Sequence, residues 1–281
     1  MTTSAQCVNI YYIIQRLLER NRHKMTNNNA PIGVIDSGIG GISVLKELIK
    51  LMPNENYLYF GDNKNAPYGM KTAEQVKQIM LKNAQYMINK GIKALVVACN
   101  TATGASISAL RERYPRFPII GIEPAIKPSA RYHEHSNILV MATPLTLKQE
   151  KFHDLIDKFA FEANIIPLPC PGLMELVEAG EISGSRINGY LNKLFKPFEG
   201  KKIDSVVLGC THYPHIKKAV SEALGNHVMI FDGGEGTARE THRRLDELNL
   251  LNTSTPGGAL IIECSDKSAD IAPLALKLLN E

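Results

Sequence analysis

Residues 94–101, Ala-Leu-Val-Val-Ala-Cys-Asn-Thr, form an apolar run that ends in a cysteine and two small polar residues. Residues 205–212, Ser-Val-Val-Leu-Gly-Cys-Thr-His, repeat the pattern, and the two cysteines, Cys99 and Cys210, lie 111 positions apart. A short β-branched run of this kind is typical of a strand buried in a parallel sheet. The repeat predicts two similar α/β halves, each delivering one cysteine at the carboxyl end of a strand.

Seven further apolar runs have the same character, and segments with helical spacing lie between them. The predicted strands cover residues 32–35, 57–60, 94–98, 119–122, 138–142, 165–168, 205–208, 228–231 and 259–262. Two pairs, Thr72 with Gln75 and Thr146 with Gln149, have the spacing of capping boxes and predict two helix starts. The alternation predicts an α/β fold of two similar three-layer domains, each with a parallel sheet between helices.

The expected domain organisation follows from this order of elements. Residues 1–30 are predicted to be an extension outside the core. A first α/β domain is expected from residues 31–122 together with 232–281, and a second from residues 123–231, with Pro124 and Pro128 bracketing the crossover. Ligands of parallel α/β sheets bind at the carboxyl ends of the strands. We therefore expect the active site in the cleft between the two domains.

Charge and cysteine content limit the classes of protein to which the chain could belong. The net charge is +4, but the first 30 residues hold four basic side chains against one acid, so the body is close to neutral. Neither a nucleic acid nor a membrane surface is indicated as a partner. No apolar run is long enough to span a bilayer. Five cysteines without dense spacing favour a reducing compartment, and the expected location is the cytoplasm.

Several polar groups follow predicted strands and could share one cleft. They are Asp36-Ser37, Cys99-Asn100-Thr101, Cys210-Thr211-His212 and Asp232-Gly233-Gly234. The glycines after the first strand, in Asp-Ser-Gly-Ile-Gly-Gly-Ile-Ser, do not match a dinucleotide fingerprint, which argues against a nicotinamide cofactor. Such a turn commonly only opens a helix, although its N–H groups could bind a carboxylate.

Three uses of the cysteine-containing segments compete. A metal site built on Cys210, His212 and His215 would be short of ligands, because Pro214 interrupts the run and no second Cys/His cluster completes the set. A redox dithiol is disfavoured because no Cys-x-x-Cys motif occurs. Acid–base chemistry fits better, because two thiols approaching one carbon from opposite faces could invert a stereocentre. We therefore expect neither a metal nor a nicotinamide cofactor.

Five motifs, in order along the chain, resemble those of the glutamate racemase family. They are Ile32-Gly-Val-Ile-Asp-Ser-Gly-Ile-Gly-Gly41, Phe60-Gly-Asp with Ala66-Pro-Tyr-Gly69, Ala98-Cys-Asn-Thr-Ala-Thr103, Gly121-Ile-Glu-Pro124 and Leu208-Gly-Cys-Thr-His-Tyr-Pro214. The resemblance implies an isomerase that interconverts L- and D-glutamate without a cofactor and supplies D-glutamate for peptidoglycan synthesis. It also allows a homodimer, whose arrangement the sequence leaves open.

The resemblance further implies roles for individual residues. Cys99 is expected to act on D-glutamate and Cys210 on L-glutamate, and Asp36 and His212 are similarly placed to tune the two thiols. The implied substrate-binding pairs are Asp36-Ser37, Tyr68-Gly69, Asn100-Thr101 and Thr211-His212, with Thr143 as a further contact.

A further acid near the second thiol is implied at Glu178, although the flanking sequence departs from the family pattern and leaves Glu175 as an alternative. Spacing alone suggests paired thiols without selecting glutamate. An aspartate racemase or another two-cysteine racemase therefore stays open, as do a metal-dependent enzyme and a protein that binds glutamate without catalysis.

Overall fold

A computed structural model describes residues 28–225, 227–253, 257–266, 268 and 271–280. Each of the nine predicted apolar runs forms a strand. The strands are β1 (Ile32–Asp36), β2 (Tyr57–Gly61), β3 (Ala94–Val97), β4 (Ile119–Gly121), β5 (Ser136–Ala142), β6 (Ala163–Pro169), β7 (Ser205–Leu208), β8 (Met229–Asp232) and β9 (Leu260–Cys264). Of the extension expected at residues 1–30, the first 27 residues lie outside the described part of the chain.

The α-helices of the described ranges alternate with these strands. They are α1 (Ile42–Leu51), α2 (Ala73–Asn89), α3 (Asn100–Arg113), α4 (Ile126–Ala130), α5 (Pro144–Lys148), α6 (Glu150–Phe159), α7 (Leu173–Glu178), α8 (Ser185–Phe195), α9 (Lys217–Leu224), α10 (Gly234–Glu247) and α11 (Ala272–Asn280). Short 3₁₀ turns occur at Asn63–Asn65, Tyr68–Met70, Lys196–Phe198 and Tyr213–Ile216. Among the described residues, no helix is long and apolar enough to cross a membrane.

The strands form two parallel sheets, which confirms the predicted α/β fold class. The first sheet has the order β4-β3-β1-β2-β9 and the second has the order β6-β5-β7-β8. Helices pack on both faces of each sheet. Leu45 and Met80 belong to cores on opposite faces of the first sheet, and Phe152 and Leu191 to cores on opposite faces of the second.

Each sheet therefore has a hydrophobic core on both of its faces. Burying a side chain of this size stabilises the fold by about 1.5–3 kcal/mol. We call the two units the first and the second lobe. The chain passes from one to the other between Gly121 and Ser136, and β9 returns to the first. The domain limits at residues 122 and 231 stay a prediction.

One predicted helix start is confirmed and the other is wrong. Thr72 Oγ1 accepts the N–H of Gln75 at 3.2 Å, and Gln75 Oε1 accepts the N–H of Thr72 at 2.9 Å, which is the expected capping box. At the second position the helix begins three residues early, because Thr143 caps the N–H of Thr146 and Pro144 occupies the first turn.

Candidate active site

The two cysteines singled out in the sequence follow β3 and β7, one in each lobe. Cys99 is 6% exposed and Cys210 is 7% exposed. Cys99 Sγ accepts the N–H of Ala102 at 3.5 Å and thereby caps α3, and its thiol lies 3.8 Å from Ser37 Oγ. Burial raises the pKa of Cys99, and the charges of Asp36 and Cys210 raise it further. The thiol of Cys99 therefore lies beside the polar turn that follows β1.

Cys210 is next to an imidazole that is itself paired with a carboxylate. Its Sγ lies 3.6 Å from His212 Nδ1, and His212 Nε2 lies 2.6 Å from Glu178 Oε1. The backbone N–H of Ile39, in the first lobe, donates to the same oxygen at 2.8 Å. The acid–imidazole–thiol series thus belongs to the second lobe and contacts the first lobe at the glycine-containing turn after β1.

The electrostatics of this series favour a charged imidazole. Burial alone would lower the pKa of His212, but its hydrogen bonds to Cys210 and Glu178 outweigh burial and hold the pKa well above its ordinary value. Burial likewise opposes ionisation of Glu178, yet His212 and the N–H of Ile39 leave the pKa of that carboxyl lowered. A cationic imidazole beside a thiol favours the thiolate, which is the nucleophilic and basic form of cysteine.

Asp36, in the first lobe, forms a second contact between the two lobes. Its Oδ1 accepts the N–H of Gly38 at 2.9 Å, and its Oδ2 accepts the hydroxyl of Thr211 from the second lobe at 3.0 Å. Asp36 is 1% exposed, and burial raises its pKa, although the charge of His212 partly offsets this. The carboxyl therefore lies between Ser37, which contacts Cys99, and Thr211, which precedes His212 and follows Cys210, and its raised pKa favours the protonated form.

The glycines after β1 do more than open α1. A Cβ atom on Gly38 would overlap the Glu178 carboxylate, and one on Gly40 would overlap the imidazole of His212. These positions lack side chains because the second lobe approaches the backbone there. The predicted carboxylate-binding N–H is also present, at Ile39, but the carboxylate that it holds is that of Glu178.

Near Cys99 the lobes meet through uncharged groups. Thr101 Oγ1 lies 2.9 Å from Thr143 Oγ1 and 3.0 Å from Thr146 Oγ1, so one hydroxyl of the first lobe contacts two of the second. Gln149 Nε2 donates to the Thr101 carbonyl at 3.0 Å. These contacts explain why Thr146 and Gln149 do not form the predicted capping box: both side chains are used between lobes.

The structure separates other sequence candidates. Glu178 contacts His212, whereas Glu175 is exposed, so the geometry favours Glu178 as the acid near the second thiol. Asn100 is buried with its Oδ1 lacking a protein partner. Asp232 accepts the N–H of Gly234 at the start of α10 and is not brought to the thiols.

Within the part of the chain that the structure describes, no group of three His, Cys, Asp or Glu side chains is arranged to hold a metal ion. Sequence reasoning assigned no part in the site to Gln149, for which only a helix cap was predicted, or to Asp62, which accepts a hydrogen bond from the hydroxyl of Tyr68 at 2.5 Å. Asp62 was part of a quoted motif, and that position after β2 was the available signal.

Two α/β lobes that each present a buried thiol to one cleft define a class of enzyme suited to two-sided proton transfer. The Asp/Glu/Hydantoin racemase family model matches residues 32–241. The chain belongs to this family.

Individual relatives agree with that assignment. The glutamate racemase of Clostridium botulinum (strain Alaska E43 / Type E3) is 48% identical over 256 residues, which cover 91% of this chain and 99% of the relative. The crystal structure of Francisella tularensis glutamate racemase in complex with D-glutamate has a TM-score of 0.79 and 28% identity, covering 90% of this chain and 95% of that one.

The Escherichia coli enzyme, solved with L-glutamate and the activator UDP-MurNAc-Ala, has a TM-score of 0.78 and 32% identity. That alignment covers 89% of this chain and 94% of the E. coli chain.

Proposed function

We propose that this protein is a glutamate racemase that inverts the α-carbon by moving a proton between Cys99 and Cys210. The proposal is supported chiefly by two buried thiols that follow strands of different lobes: Cys99 lies 3.8 Å from Ser37, and the neighbouring Asp36 is hydrogen-bonded to Thr211, next to Cys210. The relatives support glutamate as substrate, since one solved structure contains D-glutamate and another contains L-glutamate.

The reaction needs no net change in the enzyme's protons. A thiolate on one face takes the α-proton, so that a Cα–H bond breaks, an S–H bond forms and the electron pair stays on the substrate carbon. The opposite thiol then gives its proton to the other face of that carbon and becomes a thiolate. Cys210 removes the proton from L-glutamate and Cys99 removes it from D-glutamate. Proton exchange with solvent restores the starting protonation state.

The α-proton of an amino acid is weakly acidic, so the site must stabilise a developing carbanion. Polar side chains around the thiols are suited to hold the substrate's charged groups with water excluded. Asn100 Oδ1, which has no protein partner, is positioned to accept a hydrogen bond from the ammonium group. Other proposed substrate-binding residues are Asp36, Ser37, Tyr68, Gly69, Thr101, Thr143, Thr211 and His212.

Each thiol has its own ionisable neighbour. His212, held cationic by Glu178, stabilises the Cys210 thiolate and can return a proton to it at 3.6 Å. Asp36 lies near Cys99 and carries a raised pKa, so it can share a proton with that side of the cleft.

Incubating the purified protein with each enantiomer of glutamate and aspartate tests the function directly. We expect chiral chromatography to show glutamate approaching equal amounts of both enantiomers and aspartate reacting far more slowly. Equal or faster turnover of aspartate would overturn the choice of substrate. Binding of glutamate without exchange of its α-proton would identify a binding protein instead.

We further propose that the product is used in peptidoglycan synthesis and that the enzyme works in the cytoplasm as a homodimer. Free thiols at Cys99, Cys170 and Cys210 support a reducing compartment. Expression in a bacterium that requires D-glutamate tests the biological role. Growth without added D-glutamate is expected for the wild type but not for Cys99→Ala, and failure of the wild type to restore growth would contradict it.

A further inference from the structure

Asp62 is a fully buried carboxylate that the proton transfer described above does not use. It follows β2 directly, and its backbone N–H donates to the carbonyl of Asp36 at 2.9 Å. Its side chain accepts hydrogen bonds from Asn65 Nδ2 at 3.0 Å, from Asn83 Nδ2 at 2.8 Å and from the hydroxyl of Tyr68 at 2.5 Å. All three partners are donors, which suits the acceptor-only carboxylate.

Tyr68 connects this carboxylate to the thiol of the first lobe. The phenol is 1% exposed, and its hydroxyl donates a hydrogen bond to Asp62. Tyr68 and Cys99 belong to the same buried cluster of the first lobe. Burial and the charge of Asp62 raise the pKa of Tyr68, and the charge of Cys99 raises it as well. The hydroxyl proton is committed to Asp62, and Tyr68 is therefore held in place instead of acting as an acid.

Gly69, the residue after Tyr68, packs directly against the second lobe. A Cβ atom on Gly69 would lie 2.8 Å from Thr143 Cβ, so the backbone of Gly69 lies directly against the second lobe. Thr143 Oγ1 in turn contacts Thr101 Oγ1 at 2.9 Å, two residues beyond Cys99. A shift of Tyr68 would disturb the packing of Gly69 against Thr143 on the Cys99 side of the cleft.

We propose that Asp62 is a positioning residue for the racemisation proposed above, which fixes Tyr68 and thereby the Gly69–Thr143 contact beside Cys99. Replacing the carboxylate by an amide places a donor group among donors, because Asn65, Asn83 and Tyr68 all point hydrogen at this position. A misplacement of about 1 Å can cost roughly a hundredfold in rate, so a small shift of Tyr68 is sufficient to matter.

The test compares Asp62→Asn, Tyr68→Phe and the double variant by kcat, KM and thermal unfolding. We expect Asp62→Asn to lower kcat/KM about tenfold or more, with KM raised in both directions. Because Asp62 acts through the Tyr68 hydroxyl, adding Asp62→Asn to Tyr68→Phe should change kcat/KM less than about twofold, the mark of residues that act as one unit.

Glu55→Gln is the matched control. Glu55 is also a buried carboxylate of the first lobe, 2% exposed, but it pairs with Lys93 and accepts the N–H of Asn252, and its neighbour Asn56 precedes β2 at the opposite end of the sheet. This variant should lower the unfolding temperature and leave kcat and KM of the folded enzyme unchanged. Asn83→Ala, a milder change on α2, should raise KM in the same sense as Asp62→Asn, by a smaller factor.

Two results would overturn the inference while leaving the racemase assignment intact. One is an Asp62→Asn enzyme that is less stable but has wild-type kcat and KM, which would make Asp62 only structural. The other is a double variant whose losses multiply, which would show that Asp62 does not act through Tyr68. If Asp62→Asn does not fold, unchanged KM in Asn83→Ala overturns the inference. A wild type without racemase activity would refute the proposed function itself.

Discussion

The two thiols occupy equivalent places at the ends of parallel strands, but their surroundings differ in charge. Cys210 has a cationic imidazole at 3.6 Å, held by Glu178. Around Cys99, the charge of the Asp36 carboxyl raises the pKa of the thiol, and the direct contacts are with the Ser37 hydroxyl and the backbone N–H of Ala102. The comparison teaches that a repeated strand-and-cysteine pattern gives geometric symmetry without electrostatic symmetry, because neighbours are supplied by different parts of the chain.

The difference implies a preferred resting state of the enzyme. The imidazolium of His212 lies 3.6 Å from Cys210, while burial and the charge of Asp36 raise the pKa of Cys99 and so favour its protonated form. A protonated Cys99 is the proton donor that is needed when L-glutamate is the substrate. Since the enantiomers have equal free energy, kcat/KM must still be equal in the two directions, and the asymmetry can appear only in kcat and KM separately.

Removing either thiol has the largest expected effect. Cys99→Ala and Cys210→Ala should each reduce racemisation by about 10³-fold or more, since each lacks one of the two proton-transfer groups. Exchange of the α-proton with solvent should survive for L-glutamate in Cys99→Ala and for D-glutamate in Cys210→Ala. The same enantiomer preference in both variants would contradict the assignment of one enantiomer to each thiol. Circular dichroism of each variant checks that the fold is retained.

Neutralising Glu178 should have the next largest effect. Glu178→Gln keeps an acceptor for His212 and for the N–H of Ile39 but removes the charge that supports the imidazolium. We expect kcat to fall by roughly 10²-fold, at the lower end of general acid–base contributions. Glu175→Gln, on the same helix but exposed, is the control and should keep wild-type kinetics. Equal losses in the two variants would show that Glu178 has no special place.

Alkylation sharpens the comparison in the free enzyme. The two cysteines are equally buried, at 6% and 7% exposure, so a difference in their reactivity with iodoacetamide at neutral pH should reflect the raised pKa of Cys99. We expect Cys210 to be modified roughly tenfold faster than Cys99, as measured by peptide mass spectrometry. Faster modification of Cys99 would contradict the proposed resting state.

The smallest effect is a pH-dependent contribution to stability. The pKa of His212 is raised on folding, so its contribution is complete below about 6.5, the ordinary value, and is lost as pH rises through the folded pKa. The pKa of Glu178 is lowered, so its contribution is complete above about 4.5 and is lost as pH falls through the folded pKa.

The pair should therefore stabilise the fold most between about pH 4.5 and 6.5. Unfolding experiments should give wild type an advantage over Glu178→Gln of about 1.5–3 kcal/mol in that window. The advantage should shrink at higher and lower pH. A difference that grows steadily towards alkaline pH would contradict the assigned signs.

Strands and the places of the two cysteines could be predicted because they depend on local patterns. Runs such as residues 94–98 and 206–208 are apolar throughout, since both faces of each sheet are covered. The capping box at Thr72 and Gln75 could be predicted for the same reason, because both partners lie within one turn. A start signal within one helical turn can be read without knowing the rest of the fold.

The remainder depends on contacts between distant segments. Thr146 and Gln149 match a capping pattern, but hydroxyl and carbonyl partners on α3 use both side chains instead. The choice between Glu175 and Glu178 depends on which face of a six-residue helix meets His212, which spacing does not specify. Gly38 and Gly40 are small because the second lobe packs on them, a cause located more than a hundred residues away.

Solvent deuterium gives the most direct test of two thiols acting on opposite faces of one carbon. L-glutamate is incubated with wild-type enzyme in ²H₂O, the reaction is stopped early, and mass spectrometry follows separation of the enantiomers. The account predicts that the D-glutamate formed carries a deuteron on its α-carbon while the remaining L-glutamate is unlabelled, since one group removes the proton and another supplies its replacement. D-glutamate that retains the original α-proton would show that a single group performs both transfers and would contradict the account.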